Sequence, residues 1–424
     1  MVKKFVLKNG LRVLFVPQPQ NLAATVLILV RAGSEYETKR VNGISHFLEH
    51  LMFKGTVNRP EPGMIAHELA SLGAQSNAFT DQEYTGYYAK VQAEKLPKVL
   101  DIVCDLYLNP LFNAEEIEKE RGVIMQEINM YEDDLPARAH RVFNKLVYGD
   151  QPAGWDVAGE KDNIKTLTRD DFIQYRNERY VMPGTVVVVA GKFNETSVRK
   201  QIDAHFGLLK RKTVVAKKKT LEEQASPRME LHFKESDQAH LVLGFRAFDM
   251  FDDRRYAIRV LSDILGSGMS SRLFMTVREK LGAAYYIGAG ADLGLDHGLL
   301  SISAGVDRAK IETVLRAVLE ECRLLRDELV PEKELQKSKD HIIGNMILGL
   351  ETSDDLASFY GGREILTGGT LSPEQLMDRI RKVSAKDVQA VARAIFKDKK
   401  LNVAIVGPYK KEGPFKKILT IDKK

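Results

Sequence analysis

The stretch from Ile164 to Phe172 returns as Ile380 to Val388, an offset of 216 (380 − 164), and the correspondence continues without a gap to Gly191 and Gly407. In each copy a hydroxyl residue, Thr168 or Ser384, precedes an aspartate by three positions, Asp171 or Asp387. That spacing predicts a helix start, because the hydroxyl satisfies one of the free amides of the first turn. The β-branched run Val186 to Val189, ending at Gly191, and its copy ending at Gly407 predict a strand after each helix. Earlier in each half the order repeats with a drifting offset. Strand-rich Val26 to Val30 leads to a helix at Ile44, and Leu241 to Phe245 leads to a helix around Tyr256 to Leu265; helical periodicity recurs at Leu96 to Leu108 and Ile311 to Leu325. A chain built this way must fold as two copies of one architecture.

A length of 424 residues suits two domains of about 200 each. Strands interleave with helices, but Asn-Gly and other glycine-containing turns favour antiparallel pairing. The expected fold class is α+β, with two homologous tandem domains, each a mostly antiparallel sheet packed with helices. The expected boundaries are residues 1–209 and 228–424, joined by a linker at 210–227. The basic runs Lys210 to Lys212 and Lys217 to Lys219 fall in that linker and are followed by Glu222 and Glu223, the pattern of a solvated connection. No aromatic and basic face accompanies the net charge of +5, so nucleic-acid binding is not expected. Cys104 and Cys322 stand in no metal-ligand spacing and read as reduced core thiols, which fits a cytoplasmic protein. The first residues read as strand, Asn9-Gly10 turn and strand rather than as a signal peptide, and no apolar run reaches the length of a membrane span.

The chemistry concentrates at His46-Phe47-Leu48-Glu49-His50. On a helix, positions i, i+3 and i+4 project from roughly one face. Two neutral imidazoles there can ligate a metal such as zinc, and Glu49 can sit beside bound water as a general base. The flanking Ile44, Phe47, Leu48, Leu51, Met52 and Phe53 predict a largely buried helix, where polar groups need partners. The repeat supplies a control. Sliding this helix onto its copy puts Arg259, Ser262 and Asp263 where His46, Glu49 and His50 stand. The second half thus keeps the fold and lacks the metal set, as expected of residues kept for chemistry.

A catalytic zinc needs about three protein ligands. The acidic helical stretch from Ala114 to Asn129 offers Glu120 and Glu127, seven apart and therefore on one face. Glu127 lies among Val123, Ile124 and Ile128, where an unpaired carboxylate would be costly, whereas Glu115, Glu116 and Glu118 read as solvated surface.

His46 to His50, with Glu127 following the second histidine by 77 residues (127 − 50), resembles the inverzincin metallopeptidases, the family of pitrilysin, insulin-degrading enzyme and the mitochondrial processing peptidase. The resemblance implies that Glu127 completes a zinc site, one ion per subunit, and that Glu120 helps orient it. Gly73 to Thr80, followed by Tyr84 to Tyr88, is similar to that family's active-site edge strand. Asn77, Ala78 and Phe79 would there bind an extended peptide through main-chain hydrogen bonds. From the residues alone, Ala78 to Ala89 reads as one imperfectly alternating strand. In the second half, Ser270 to Tyr285 resembles the family's Arg/Tyr motif and implies that Arg278 and Tyr285 hold the substrate backbone and the developing oxyanion; without the resemblance, Arg278 reads as surface and Tyr285 as core.

The function implied is that of a zinc endopeptidase acting on peptides or unfolded segments. In longer members of the family the Arg/Tyr pair comes from the half opposite the zinc. For a two-domain chain the resemblance therefore implies a dimeric clamshell, with Arg278 and Tyr285 supplied by the partner subunit. Both motifs occur in one chain, so a homodimer is more economical than a heterodimer with a related subunit. The alternative is a noncatalytic scaffold or assembly subunit of the same fold.

Overall fold

The computed structural model describes residues 2–369 and 371–422. Its strands are β1 (Lys3–Val6), β2 (Arg12–Pro17), β3 (Ala23–Val30), β4 (Gln75–Thr80), β5 (Thr85–Gln92), β6 (Thr185–Gly191), β7 (Arg228–Phe233), β8 (Gln238–Arg246), β9 (Ala284–Leu293), β10 (Gly298–Asp307) and β11 (Leu401–Gly407). They form a six-stranded sheet in the order β1-β2-β6-β3-β5-β4 and a five-stranded sheet in the order β7-β11-β8-β10-β9. Without β1 the two orders are the same. The one parallel pair in each sheet, β2 with β6 and β7 with β11, falls at the same place, and every other pairing is antiparallel. The fold class is α+β with two tandem copies, as the repeat requires. The capped helices after Thr168 and Ser384 are both present, each with hydroxyl and aspartate bonding reciprocally across the first turn.

Period-2 alternation decides what each strand faces. In β2 and β3, Val13, Phe15, Val26 and Ile28 point into a core shared with Phe47, Leu48 and Ile124. Their neighbours Leu14, Val16, Leu27 and Leu29 point the opposite way, against Leu356, Ala357, Tyr360 and Ile365. A sheet covered on both faces explains why β3 and β6 read as unbroken apolar runs.

The cover on that second face changes the domain boundaries. The helix Ser353–Thr367, far along the second half, packs on β2, β3 and β6, and Gly361 lets it approach so closely that a Cβ there would meet Leu29 Cδ1 at 2.7 Å. In exchange, the helix Leu135–Tyr148 from the first half packs on β7, β8 and β11, burying Ala139, Phe143 and Val147 against Val242, Ala404 and Val406. The first compact unit therefore comprises the chain up to Ile128, Trp155–Lys218 and Ile347–Leu371; the second comprises Asn129–Gly154, Lys219–Met346 and the chain from Ser372 on. The contiguous halves expected from the repeat are thus each completed by a helix taken from the other.

Three smaller expectations are corrected. The stretch from Ala78 to Ala89 is a hairpin rather than one strand: β4 is the edge, β5 lies between β3 and β4, and Asp81 N donates to Tyr84 O across the turn. Glu116 is buried and paired with Lys119 at 2.9 Å, not solvated. The Lys217 side chain is also shielded from solvent, donating to Glu83 Oε1 at 2.7 Å and to Glu35, so the linker is fastened to the first unit there. Cys104 and Cys322 are free and buried. Among the described residues, no helix is long and apolar enough to cross a membrane.

Candidate metal centre

His46, Glu49 and His50 stand on the short helix Ile44–Leu51, whose apolar face buries Ile44, Phe47, Leu48 and Leu51 completely. The Phe47 ring meets Phe172 edge to face at 4.8 Å, which fixes the helix about its own axis. Its N-terminus has no capping side chain of its own. Glu37, 3 % exposed, supplies the cap from upstream: its carboxyl accepts from Gly43 N at 2.7 Å, Ser45 N at 2.8 Å and Asn42 Nδ2 at 2.9 Å. Burial pushes the Glu37 carboxyl up to about 7, against the opposing effect of those donors.

The helix Ala114–Asp133 brings Glu120 and Glu127 to the same place from the other side. His46 Nε2, His50 Nε2 and a Glu127 oxygen converge, all within 4.8 Å of one another. The separations from Glu127 Oε2 are 3.6 Å to His46 Nε2 and 3.7 Å to His50 Nε2, too long for hydrogen bonds. Ligands at zinc distances of about 2.0–2.1 Å in a tetrahedron stand about 3.3 Å apart. The donor set therefore fits a zinc ion in both chemistry and spacing. His46 Nδ1 is buried without a partner, so no protein acceptor turns that ring away from the cluster.

The surroundings tune the set. Burial, reinforced by the neighbouring His50, pushes His46 down to about 4, which keeps its imidazole neutral and free to ligate. Burial alone would lower His50 too, but the bond to Glu120 and the charges of Glu49 and Glu127 outweigh it and raise its pKa. His50 Nδ1 lies 3.1 Å from Glu120 Oε2, and Lys54 Nζ lies 2.5 Å from Glu120 Oε1. Burial would raise Glu120; those two partners hold it below the usual carboxylate range. With Nδ1 donating to Glu120, the His50 lone pair is on Nε2, facing Glu127. Glu49 is raised by burial, partly offset by a bond of 2.6 Å from Thr80 Oγ1 to its Oε2.

Of the residues singled out from sequence, His46, Glu49, His50, Glu120 and Glu127 thus stand together in the first unit. On edge strand β4, Asn77 is exposed, while Ala78 and Phe79 are half-buried. Arg278 and Tyr285 belong to the second unit. Arg278 is exposed on a π-helical turn, Phe274–Lys280, with its guanidinium 4.9 Å over the Phe274 ring. Tyr285, the second residue of the edge strand β9, is 75 % exposed, so it is not the core residue its sequence context suggests. Glu37, Lys54 and Thr80 were not legible as site residues. Each acts by bonding to a group distant in sequence or one turn away, and none carries a spacing that marks it.

Comparison with known proteins places the chain among peptidases. Residues 12–161 match the family described as insulinase (peptidase family M16), and residues 166–342 match the family described as the peptidase M16 inactive domain. An uncharacterized zinc protease of Streptomyces coelicolor is 34% identical over 417 residues, covering 96% of this chain and 90% of its own length. One of Bacillus subtilis is 32% identical over 399 residues, covering 93% of this chain and 96% of its own length. In three dimensions the fold is similar to that of a protease from Helicobacter pylori, with a TM-score of 0.88, 24% identity and coverage of 96% of this chain and 99% of that one. It is equally close, at a TM-score of 0.88 and 18% identity, to a peptidase M16 inactive domain structure from Pseudomonas fluorescens, with coverage of 96% and 98%.

Proposed function

Because this chain belongs to peptidase family M16, we propose that it is a zinc-dependent endopeptidase whose metal is held by His46, His50 and Glu127. The observation that carries this reading is the convergence of those three side chains beside Glu49, a carboxylate raised by burial and directed into the same cluster. When bound, zinc supplies Lewis-acid polarisation of water and of the scissile carbonyl. Glu49 takes the proton of the attacking water and delivers it to the leaving amine. Glu120, bonded to His50 Nδ1, fixes that ring's tautomer and orientation. The outer edge of β4 would take an extended peptide through main-chain pairing, aligned by Asn77, Ala78 and Phe79; Ala78 N there donates to Asn77 Oδ1 at 2.9 Å, a bond the peptide would replace. Main-chain pairing favours peptides and unfolded segments, which can present an extended strand.

Arg278 and Tyr285 suit the stabilisation of the carbonyl oxygen as it gains charge, since both donate hydrogen bonds and both are exposed. In this reading they reach the metal centre of a second copy of the chain, and the working form is a homodimer. Replacing Glu49 by Gln tests the proposal: peptide cleavage should fall by at least about a thousandfold while zinc remains bound. Cleavage that survives the substitution would overturn the mechanism, whereas a zinc-loaded wild type that cleaves no peptide would favour the reading as a noncatalytic subunit of this fold.

A further inference from the structure

Thr80 is the last residue of β4, and its hydroxyl lies 2.6 Å from Glu49 Oε2. An ionised carboxylate only accepts, so the hydroxyl is the donor. Alternation along the strand puts Thr80 and Ala78 on the face turned to the helix Ile44–Leu51, while Phe79 points the opposite way and lies over Gly86, where a Cβ would meet its Cζ at 2.4 Å. Cross-strand pairing of Thr80 with Thr85 fixes the backbone; Thr85 is itself buried and donates to Ala32 O at 2.8 Å. A β-branched side chain on a pinned strand has few rotamers. Glu49, by contrast, has three side-chain torsions with which to wander.

Resting on the reading of Glu49 as the base, we infer that Thr80 is a positioning residue that holds one oxygen of Glu49, leaves the other to accept the proton, and references the base to the strand that aligns the peptide. Oε2 is engaged by Thr80, so Oε1 is the oxygen that works. The base and the substrate main chain then take their positions from a single strand. An error in the angle between proton acceptor and scissile bond is thereby removed where it matters most, since displacements near 1 Å cost about a hundredfold in such steps.

The test uses the full-length protein loaded with zinc and a peptide it cleaves, with three variants. Thr80→Val keeps the shape and removes the donor. It should lower kcat about tenfold with KM within about twofold of wild type, because pairing to the β4 main chain is untouched. Thr80→Ser keeps the donor and should restore kcat to within about threefold. Zinc affinity of the stripped protein, read by competition with a chromophoric chelator, should be the same in all. The inference is overturned if Thr80→Val retains wild-type kcat, if Thr80→Ser is as impaired as Thr80→Val, or if the loss appears in KM or in zinc affinity. Glu49→Gln run beside them separates the two claims. If it is inactive with zinc retained while Thr80→Val is fully active, the role of Thr80 fails and the peptidase reading stands.

Discussion

Removing the Glu120 carboxylate should weaken zinc binding without touching a ligand. Two contacts set the size of the effect. His50 Nδ1 loses its acceptor at 3.1 Å, so the ring is free to rotate and to move its proton to Nε2, the nitrogen that must be bare to ligate. Lys54 Nζ loses its partner at 2.5 Å and leaves an uncompensated ammonium beside a site that must accept a dication. Losing the carboxylate behind a ligating histidine costs about 10–100-fold in metal affinity, or about 1.4–2.7 kcal/mol. Glu120→Gln keeps an oxygen for His50 and loses only the charge, so it should fall near tenfold. Glu120→Ala loses both and should approach a hundredfold. Competition between the stripped protein and a chromophoric chelator measures this directly. Raising the salt should narrow the gap for the portion owed to Lys54, which is one-third exposed. Zinc affinity within twofold of wild type in Glu120→Ala would refute the view that this carboxylate orients His50.

Two more outcomes follow from the geometry. Glu37 has a folded pKa of about 7 against an ordinary 4.5, so the native state binds the extra proton between those values; its stabilisation is present below about pH 4.5 and is lost as pH rises through 7. The melting-temperature advantage of wild type over Glu37→Gln should accordingly shrink across that window, by the equivalent of about 3 kcal/mol, and a constant difference would contradict the assignment. Gly266 ends the helix Arg255–Gly266 with its Cα tight against β9, where a Cβ would lie 2.3 Å from Ala289 N. Gly266→Ala should cost about 1–3 kcal/mol of stability by calorimetry while leaving the zinc affinity of the first unit unchanged.

Helical periodicity places His46, Glu49 and His50 on one face, and Glu120 and Glu127 on another, while the roles of Glu127 and Glu120 at a metal came from the resemblance to the inverzincin family. The duplicated strand order was equally visible, since each copy repeats its caps and its apolar runs in sequence. What was hidden depends on contacts between distant segments. The helix Ser353–Thr367 has the same local pattern whichever sheet it covers, so nothing in its residues announced that it completes the first unit. The bond from Thr80 to Glu49 joins a strand end to a helix face, and a threonine in a β-rich stretch needs no such partner to explain it. The hairpin at Asp81 to Tyr84 was missed because Tyr, Thr and Phe continue on both sides of the turn and blur its edges.

The exchanged helices also impose an order of events during synthesis. All the residues of the candidate metal cluster have left the ribosome once Glu127 emerges, yet the face of β2, β3 and β6 formed by Leu14, Val16, Leu27, Leu29, Val186 and Val188 stays bare until the helix ending at Thr367 follows. At about 5–20 residues per second, the nascent chain spends on the order of ten seconds after Lys218 with that apolar face open. Premature termination in this interval would release a fragment that carries every candidate metal ligand and an uncovered sheet, a species suited to capture by chaperones and unsuited to independent life.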